Sequence, residues 1–228
     1  MSDITVRRID FGYFVRPPQE TGTGSPRVEP CLGYVVGHPQ GMILFDTGMG
    51  SHPEVDAHYR PRRIGLREAL AAIGTGLSDI GLAANCHLHF DHCGGNPALG
   101  RIPVFVQGVE LDTARQTQDY TFPELIEGSR FELVTGEAEM LPGIYLMPTP
   151  GHTSGHQSLI VRRADGAVIV AGQSHDSATR YAADQLAWRA YRDGHSQPLP
   201  SVPAWIDTLQ QLDPRIVYFA HDRSVWIP

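Results

Sequence analysis

"NCHLHFDHCGG", Asn85 to Gly95, places His87, His89, Asp91 and His92 within six positions, with Cys86 and Cys93 on either side. Residues i and i+2 on extended backbone project to the same side, roughly 6–7 Å apart. Read that way, His87 and His89 can share one tetrahedral metal. Asp91 and His92 come just before Gly94-Gly95, a pair that predicts a sharp turn and would aim them at a second point nearby. Zinc accepts imidazole and carboxylate ligands together. Four ligand-type side chains this close are hard to explain by packing; the alternatives are a solvated polar turn or satisfied core histidines. Cys86 and Cys93 lack C-x-x-C spacing, and Cys86 on a strand would face away from His87. Both read as small, partly buried thiols, not ligands.

The segment leading into the motif, "DIGLAANCHLHF" (79–90), reads as a buried strand, and "GLREALAAIG" (65–74) has apolar residues at helical spacing. Earlier, "ITVRRIDFGYFV" (4–15) alternates loosely as a strand. "CLGYVVGHPQGMILFDTG" (31–48) reads as two strands around a Gly/Pro turn, ending in an Asp-Thr-Gly loop. Between them, "PPQETGTGSPRVEP" (17–30) is rich in Pro and Gly and reads as a long surface loop, either a lid or a plain connector.

After the motif, "IPVFVQ" (102–107) is a strand and "GVELDTARQTQ" (108–118) a helix. "RFELVTG", "GIYLMPTPG", "QSLIVRR" and "AVIVAGQ" are four further short strands. "SVPAWIDTLQQLD" (201–213) has a Ser cap and Pro near the first turn of a helix. "RIVYFAHD" (215–222) closes as a strand followed by His-Asp. This order lacks the regular βαβα alternation of a doubly wound parallel sheet. Two sheets covered by helices fit better, an α+β arrangement. The histidine-bearing segments follow strands and can gather at one edge.

Composition narrows the classes. The 228 residues are 41% hydrophobic and 19% charged, ordinary for a globular protein, and read as one domain over 1–228. A net charge of −7 argues against a uniformly basic nucleic-acid face. No run of about 18 apolar residues is present, so no membrane span is expected. "MSDITVRRID" has no apolar signal core. Three cysteines make no disulfide framework, and so sparse and odd a count fits a reducing cytoplasm.

"HLHFDH" (87–92) resembles the signature of the metallo-β-lactamase superfamily, and the resemblance extends over most of the chain. "LFDTG" (44–48) is similar to the early Asp loop of that family, "TPGHTSGH" (149–156) to the segment with the next metal histidine, and "FAHD" (219–222) to the one with the last. The resemblance implies a four-layer αβ/βα sandwich, two mixed sheets flanked by helices. It implies that His87, His89 and His152 hold one metal, that Asp91, His92 and His221 hold a second, and that Asp46 orients ligands from behind. His156 matches no family metal position. "CHLHFDHCGGNP" with "TPGHTSGHQS" looks most like the N-acyl homoserine lactonase group, the quorum-quenching type.

The function implied is a hydrolase that opens a lactone ring by attack of a hydroxide held at the metal, with Asp91 moving the proton. Zinc is expected, one or two ions per chain, with iron, manganese and cobalt as other candidates. The implied partner is a small lactone or ester, without nucleic acid or membrane; a homodimer is compatible with the chain. Phe90, Phe122, Tyr181, Trp188 and Tyr191 are candidates for an apolar wall. Segments 17–30 and 177–200 are where substrate choice is expected to reside. The alternatives are an esterase, thioesterase or β-lactamase on the same fold, or a metal-binding protein with little turnover.

One position departs from the family. In "VIVAGQSHDSA" (168–178), Gln173 stands where dinuclear members carry an Asp that bridges both metals. A neutral amide is a poorer bridge than a carboxylate and leaves the metals less neutralised. His175 and Asp176, two and three residues on, are candidate replacements.

Overall fold

Side chains along a strand alternate between its two faces. Ile43 and Phe45 belong to one hydrophobic layer and Leu44 to another. Leu159 and Val161 likewise share the layer of Ile43, while Ile160 lies beyond it. Strands apolar on both faces must be covered on both faces, and the chain does so with two stacked sheets and helices outside each.

The computed structural model describes residues 4–117, 120–195 and 201–228. One sheet comes from β1 (Thr5–Arg16), β2 (Arg27–His38), β3 (Gly41–Phe45), β4 (Arg62–Arg63), β5 (Ile80–Ala84), β6 (Val104–Gln107) and β7 (Phe131–Val134), in the order β4-β1-β2-β3-β5-β6-β7. The other comes from β8 (Ala138–Leu141), β9 (Ile144–Pro148), β10 (Gln157–Arg163), β11 (Gly166–Val170) and β12 (Pro214–Tyr218), in the order β12-β11-β10-β9-β8. Both are mixed: β3, β5, β6 and β7 run parallel, as do β11 and β12, and the remaining pairs are antiparallel.

The helices are α1 (Pro18–Thr21), α2 (Pro53–Tyr59), α3 (Leu66–Ala72), α4 (Phe90–Cys93), α5 (Gly108–Gln116), α6 (Pro123–Ile126), α7 (Ala178–Arg192) and α8 (Ile206–Gln211). Leu66 and Leu70 of α3, Leu111 of α5 and Ile126 of α6 pack with Val35, Leu44 and Val106 on the outside of the first sheet. Tyr181 of α7 and Leu209 of α8 pack with Ile160, Ile169 and Val217 on the outside of the second. Between the sheets lie Tyr34, Ile43, Phe45, Leu146, Leu159 and Val170, all at most 1% exposed. Each fully buried Leu, Ile or Phe of this middle layer contributes roughly 1.5–3 kcal/mol. The result is the four-layer αβ/βα sandwich.

Several elements differ from the sequence reading. The strand into the motif ends at Ala84, so His87 and His89 sit on irregular backbone. More than half of the expected 17–30 loop is regular structure: α1 occupies Pro18–Thr21, and β2 starts at Arg27, opposite Arg16 of β1, with Glu29 buried against Arg16. The last helix starts at Ile206, not at a Ser201 cap. The 15-residue α7 was not anticipated; Asp184 and Gln185 lie on its buried side and break its apolar stripe.

β3 and β5 run parallel to each other, and β9, β11 and β12 share one direction, since β9 and β11 are both antiparallel to β10. The loops after these five strands carry Asp46, the 85–93 motif, His152, Gln173 and His221. Topology therefore collects the polar residues at one edge.

Candidate metal centre

The motif is laced to the loop after β3. Thr47 N–H donates to His92 O (2.8 Å), Gly50 N–H to Phe90 O (2.7 Å) and Gly94 N–H to Gly48 O (2.8 Å). A Cβ on Gly94 would lie 1.8 Å from Gly50 N, so only glycine allows this approach. Asp46 has φ 61°, a left-handed conformation uncommon outside glycine. From it, Asp46 accepts from Cys86 N–H at 2.8 Å and from His92 Nδ1–H at 3.0 Å.

Three groups of ligand-type side chains form among the described residues: Cys86 with His87 and His92, and the two expected trios. In one trio, His87 Nε2 lies 3.0 Å from His89 Nδ1, which lies 3.1 Å from His152 Nε2. In the other, His221 Nε2 lies 3.2 Å from His92 Nε2 and 3.3 Å from Asp91 Oδ2. His221 Nδ1–H donates to Pro30 O at 2.9 Å, so in the neutral ring Nε2 carries the lone pair and faces the cluster. His92 is held the same way by Asp46. Ring nitrogens turned toward one another at these distances suit a shared cation, and the ligand atoms within each trio lie within 4.8 Å of one another.

Electrostatics point the same way. Burial, reinforced by neighbouring imidazoles, pushes His87 well below its ordinary value. Burial lowers His89 to about 4 and His152 to about 3. These rings are neutral at neutral pH, the form in which imidazole can take a metal. Burial alone would lower His92 and raise Asp91, but the attraction between them, with Asp46 and His221 adding to it, prevails. His92 is raised to about 9 and Asp91 lowered to about 2. Two buried carboxylates around His92 favour a positive charge there, either as a proton on the ring or as a divalent ion that displaces that proton and takes up the Nε2 lone pair. The donor set fits a metal.

The metallo-beta-lactamase superfamily pattern matches residues 26–221. The chain belongs to that superfamily. An N-acyl homoserine lactonase of Bacillus cereus is 26% identical over 209 residues, covering 85% of this chain and 81% of that protein. Another from Bacillus sp is 32% identical over 148 residues, and the match spans 58% of each chain. A solved N-acyl homoserine lactone hydrolase with N-hexanoyl-L-homoserine at its catalytic metal centre aligns over 98% of this chain and 95% of its own, with TM-score 0.75 and 22% identity. AidC, a dizinc quorum-quenching lactonase, aligns over 96% and 87%, with TM-score 0.69 and 15% identity.

In this superfamily chain, the six expected ligand residues are brought together. Of the three residues considered for the missing bridge, only Gln173 reaches them, with Oε1 3.3 Å from His92 Nε2. His175 is turned away: its Nε2 meets Asp184 Oδ2 at 3.1 Å, and its ring packs against Tyr181 and Trp205. Asp176 is exposed, with Arg27 at 3.8 Å. His156 accepts from Gln173 N–H at 3.0 Å and fixes that residue's backbone. Cys86 is not turned away from the histidines as expected; its Sγ lies 3.1 Å from His87 Nδ1 and 3.2 Å from His92 Nδ1. The strand has already ended there, so strict alternation no longer applies.

A cavity of about 610 Å³ opens onto the clusters, where His89, Asp91, His152 and Gln173 form part of its lining. Phe90 and Phe122 line it as expected. Tyr181 does not, being fully buried in the outer core; Trp188 lines a separate groove, and Tyr191 is exposed. The described residues of 17–30 and 177–195 do not line it either, and residues 196–200 lie outside the described ones. Phe14, Arg16, Tyr59 and Tyr120 were missed and do line it. They come from β1, α2 and the turn before α6, which carry no motif of their own.

Proposed function

We propose that this chain is a metal-dependent hydrolase that opens lactone rings, with N-acyl homoserine lactones as the substrates suited to its cavity. One observation carries the reading: two three-ligand clusters meet at an aromatic-walled cavity of about 610 Å³. Similarity to named lactonases supports it. Zinc is the proposed metal, because it takes such imidazole and carboxylate sets. His87, His89 and His152 would hold one ion, and Asp91, His92 and His221 the other. Bound there, a divalent metal acidifies water and polarises a carbonyl oxygen.

The chain's own groups do the rest. Asp91 borders the cavity and rests ionised, so it is free to accept a proton. It can take a proton as water adds to the ring carbonyl and return it to the ring oxygen as that C–O bond breaks. The product is an open hydroxy acid. Phe14, Tyr59, Phe90 and Phe122 give the acyl tail its apolar surface. Asp46 and Pro30 O keep His92 and His221 turned toward the cluster. The reading takes residues 1–228 as one hydrolase domain. It needs neither nucleic acid nor membrane, and all six ligands come from one chain. No helix among the described residues is long and apolar enough to cross a membrane. Three buried free cysteines fit a cytoplasmic setting.

Zinc-loaded protein should release one proton and one hydroxy acid per turnover from acyl homoserine lactones, read by pH-stat and chromatography. Failure on lactones of every chain length, with cleavage of aryl esters or thioesters, would assign another hydrolase activity.

Gln173 beside His92 supports a second reading, a one-metal protein with little turnover. Metal analysis separates the two: two equivalents with turnover exclude the second, and one equivalent without turnover establishes it.

A further inference from the structure

A buried carboxylate outside the six ligand positions links them. Glu110 of α5 is 1% exposed. Its Oε1 accepts from Leu88 N–H at 2.8 Å and from the Tyr120 hydroxyl, and its Oε2 accepts from the Thr153 hydroxyl at 2.8 Å. Leu88 lies between His87 and His89, and Thr153 follows His152. The Tyr120 ring lies 4.5 Å from the His89 ring, centroid to centroid, and borders the cavity. All three imidazoles of one cluster are thus next in sequence to a group that donates to this carboxylate.

Packing reinforces the link. A Cβ on Gly155 would stand 2.4 Å from Glu110 Cβ and 2.6 Å from its backbone N. The turn carrying His152 is seated directly on α5. The two segments follow strands of different sheets, β5 and β9. They are tied at their base, where Gln157 donates its N–H to Cys86 O and its side-chain amide to Asn85 O, both at 2.8 Å, and Glu110 ties them at the histidines themselves. With two acceptor oxygens and three donors, this one side chain reaches both segments.

We propose that Glu110 is the positioning residue of the His87–His89–His152 cluster, setting the spacing of its two segments and holding Tyr120 against His89. The inference rests on the metal reading of that cluster. Thr153→Val removes only the tie to the His152 segment, and Glu110→Ala removes all three. Glu110→Gln keeps an acceptor for Leu88 and Tyr120, while the Thr153 hydroxyl can turn to accept from the new amide.

The full-length parent and the three variants are compared in two ways. Amide exchange is measured on metal-free protein, and cobalt(II) titrations follow affinity and visible d–d absorption. In Thr153→Val, exchange over 149–156 should rise about tenfold, and one of two cobalt ions should bind ~10–100-fold more weakly with an altered spectrum. Glu110→Ala should extend the loss to Leu88, and Glu110→Gln should restore most of it. Parent-like exchange and spectra in Thr153→Val would overturn the proposal, whether or not Glu110→Ala folds. A parent that takes up no cobalt would overturn the hydrolase reading, while the exchange data would still decide the role of Glu110.

Discussion

Oε1 of Gln173 lies 3.3 Å from Nε2 of His92, placing a neutral oxygen where related dinuclear sites are expected to carry a bridging carboxylate. The backbone behind it is fixed by His156, so the amide is a built part of the site. Gln173→Glu adds a negative charge at the same length. At a separation of a few ångströms this should tighten the less firmly held divalent ion at least tenfold. Competition with a chelating dye measures it; equal affinities would mean that the oxygen does not face the ion.

Asp46 can be tested without disturbing its backbone, because Asn also tolerates the left-handed conformation. Asp46→Asn removes the charge behind His92 and weakens the acceptor at its Nδ1. Metal affinity of the Asp91–His92–His221 cluster should fall ~10–100-fold, with the metal-free melting temperature changed little. Calorimetric zinc titration and thermal melts give the two numbers.

Glu29 predicts a pH signature in stability. Burial by itself pushes its carboxyl up, but hydrogen bonding and charge from Arg16, with His221 and Arg27 adding to them, hold it below the ordinary value. Arg16 grips it at 2.8 and 2.9 Å. A depressed carboxylate stabilises the fold above its unfolded value of about 4.3, and that contribution disappears as pH falls through the lower folded value. Glu29→Gln should therefore be less stable by roughly 1–3 kcal/mol at pH 7. Urea melts should show the gap closing as pH drops below about 4.3; a gap independent of pH would refute the charge argument.

Tyr59 stacks on Phe90 with ring centroids 5.1 Å apart. Tyr59→Ala should raise KM roughly tenfold for long-chain lactones, about 1.4 kcal/mol of lost apolar contact, with kcat changed less than about twofold. Short-chain substrates should be nearly indifferent. Steady-state kinetics over a chain-length series provides the check.

What could be read in the sequence was local. Short apolar runs bounded by turn residues located β2, β3, β10 and β11, because each must satisfy two apolar faces. His87, His89, Asp91 and His92 stood out because four ligand-type side chains fall within six positions, whereas His152 and His221 came from the family resemblance of their segments. Gln173 was visible as an irregularity, but the fate of His175 was not. Its partner Asp184 comes from α7, whose buried side mixes Tyr181 with Asp184 and Gln185 and so hides its helical period.

Glu110 carries a readable signal in the sequence, a carboxylate on the same buried stripe as Leu111 and Ala114. The cavity wall was the least legible part. Phe14 and Tyr59 become neighbours of Phe90 only through tertiary packing, and an aromatic residue in sequence gives no sign of whether it will face a core or a cleft.

The division of the two sheets along the chain has a further consequence. β1 to β7 end at Val134 and β8 begins at Ala138, so a cut between them would separate the sheets without breaking a strand. The N-terminal piece would carry His87, His89, Asp91 and His92, and the C-terminal piece His152 and His221. Neither fragment owns a complete trio. Recovered hydrolysis on mixing the two would thus be a direct reporter of their reassembly, a split enzyme whose dividing line the fold already contains.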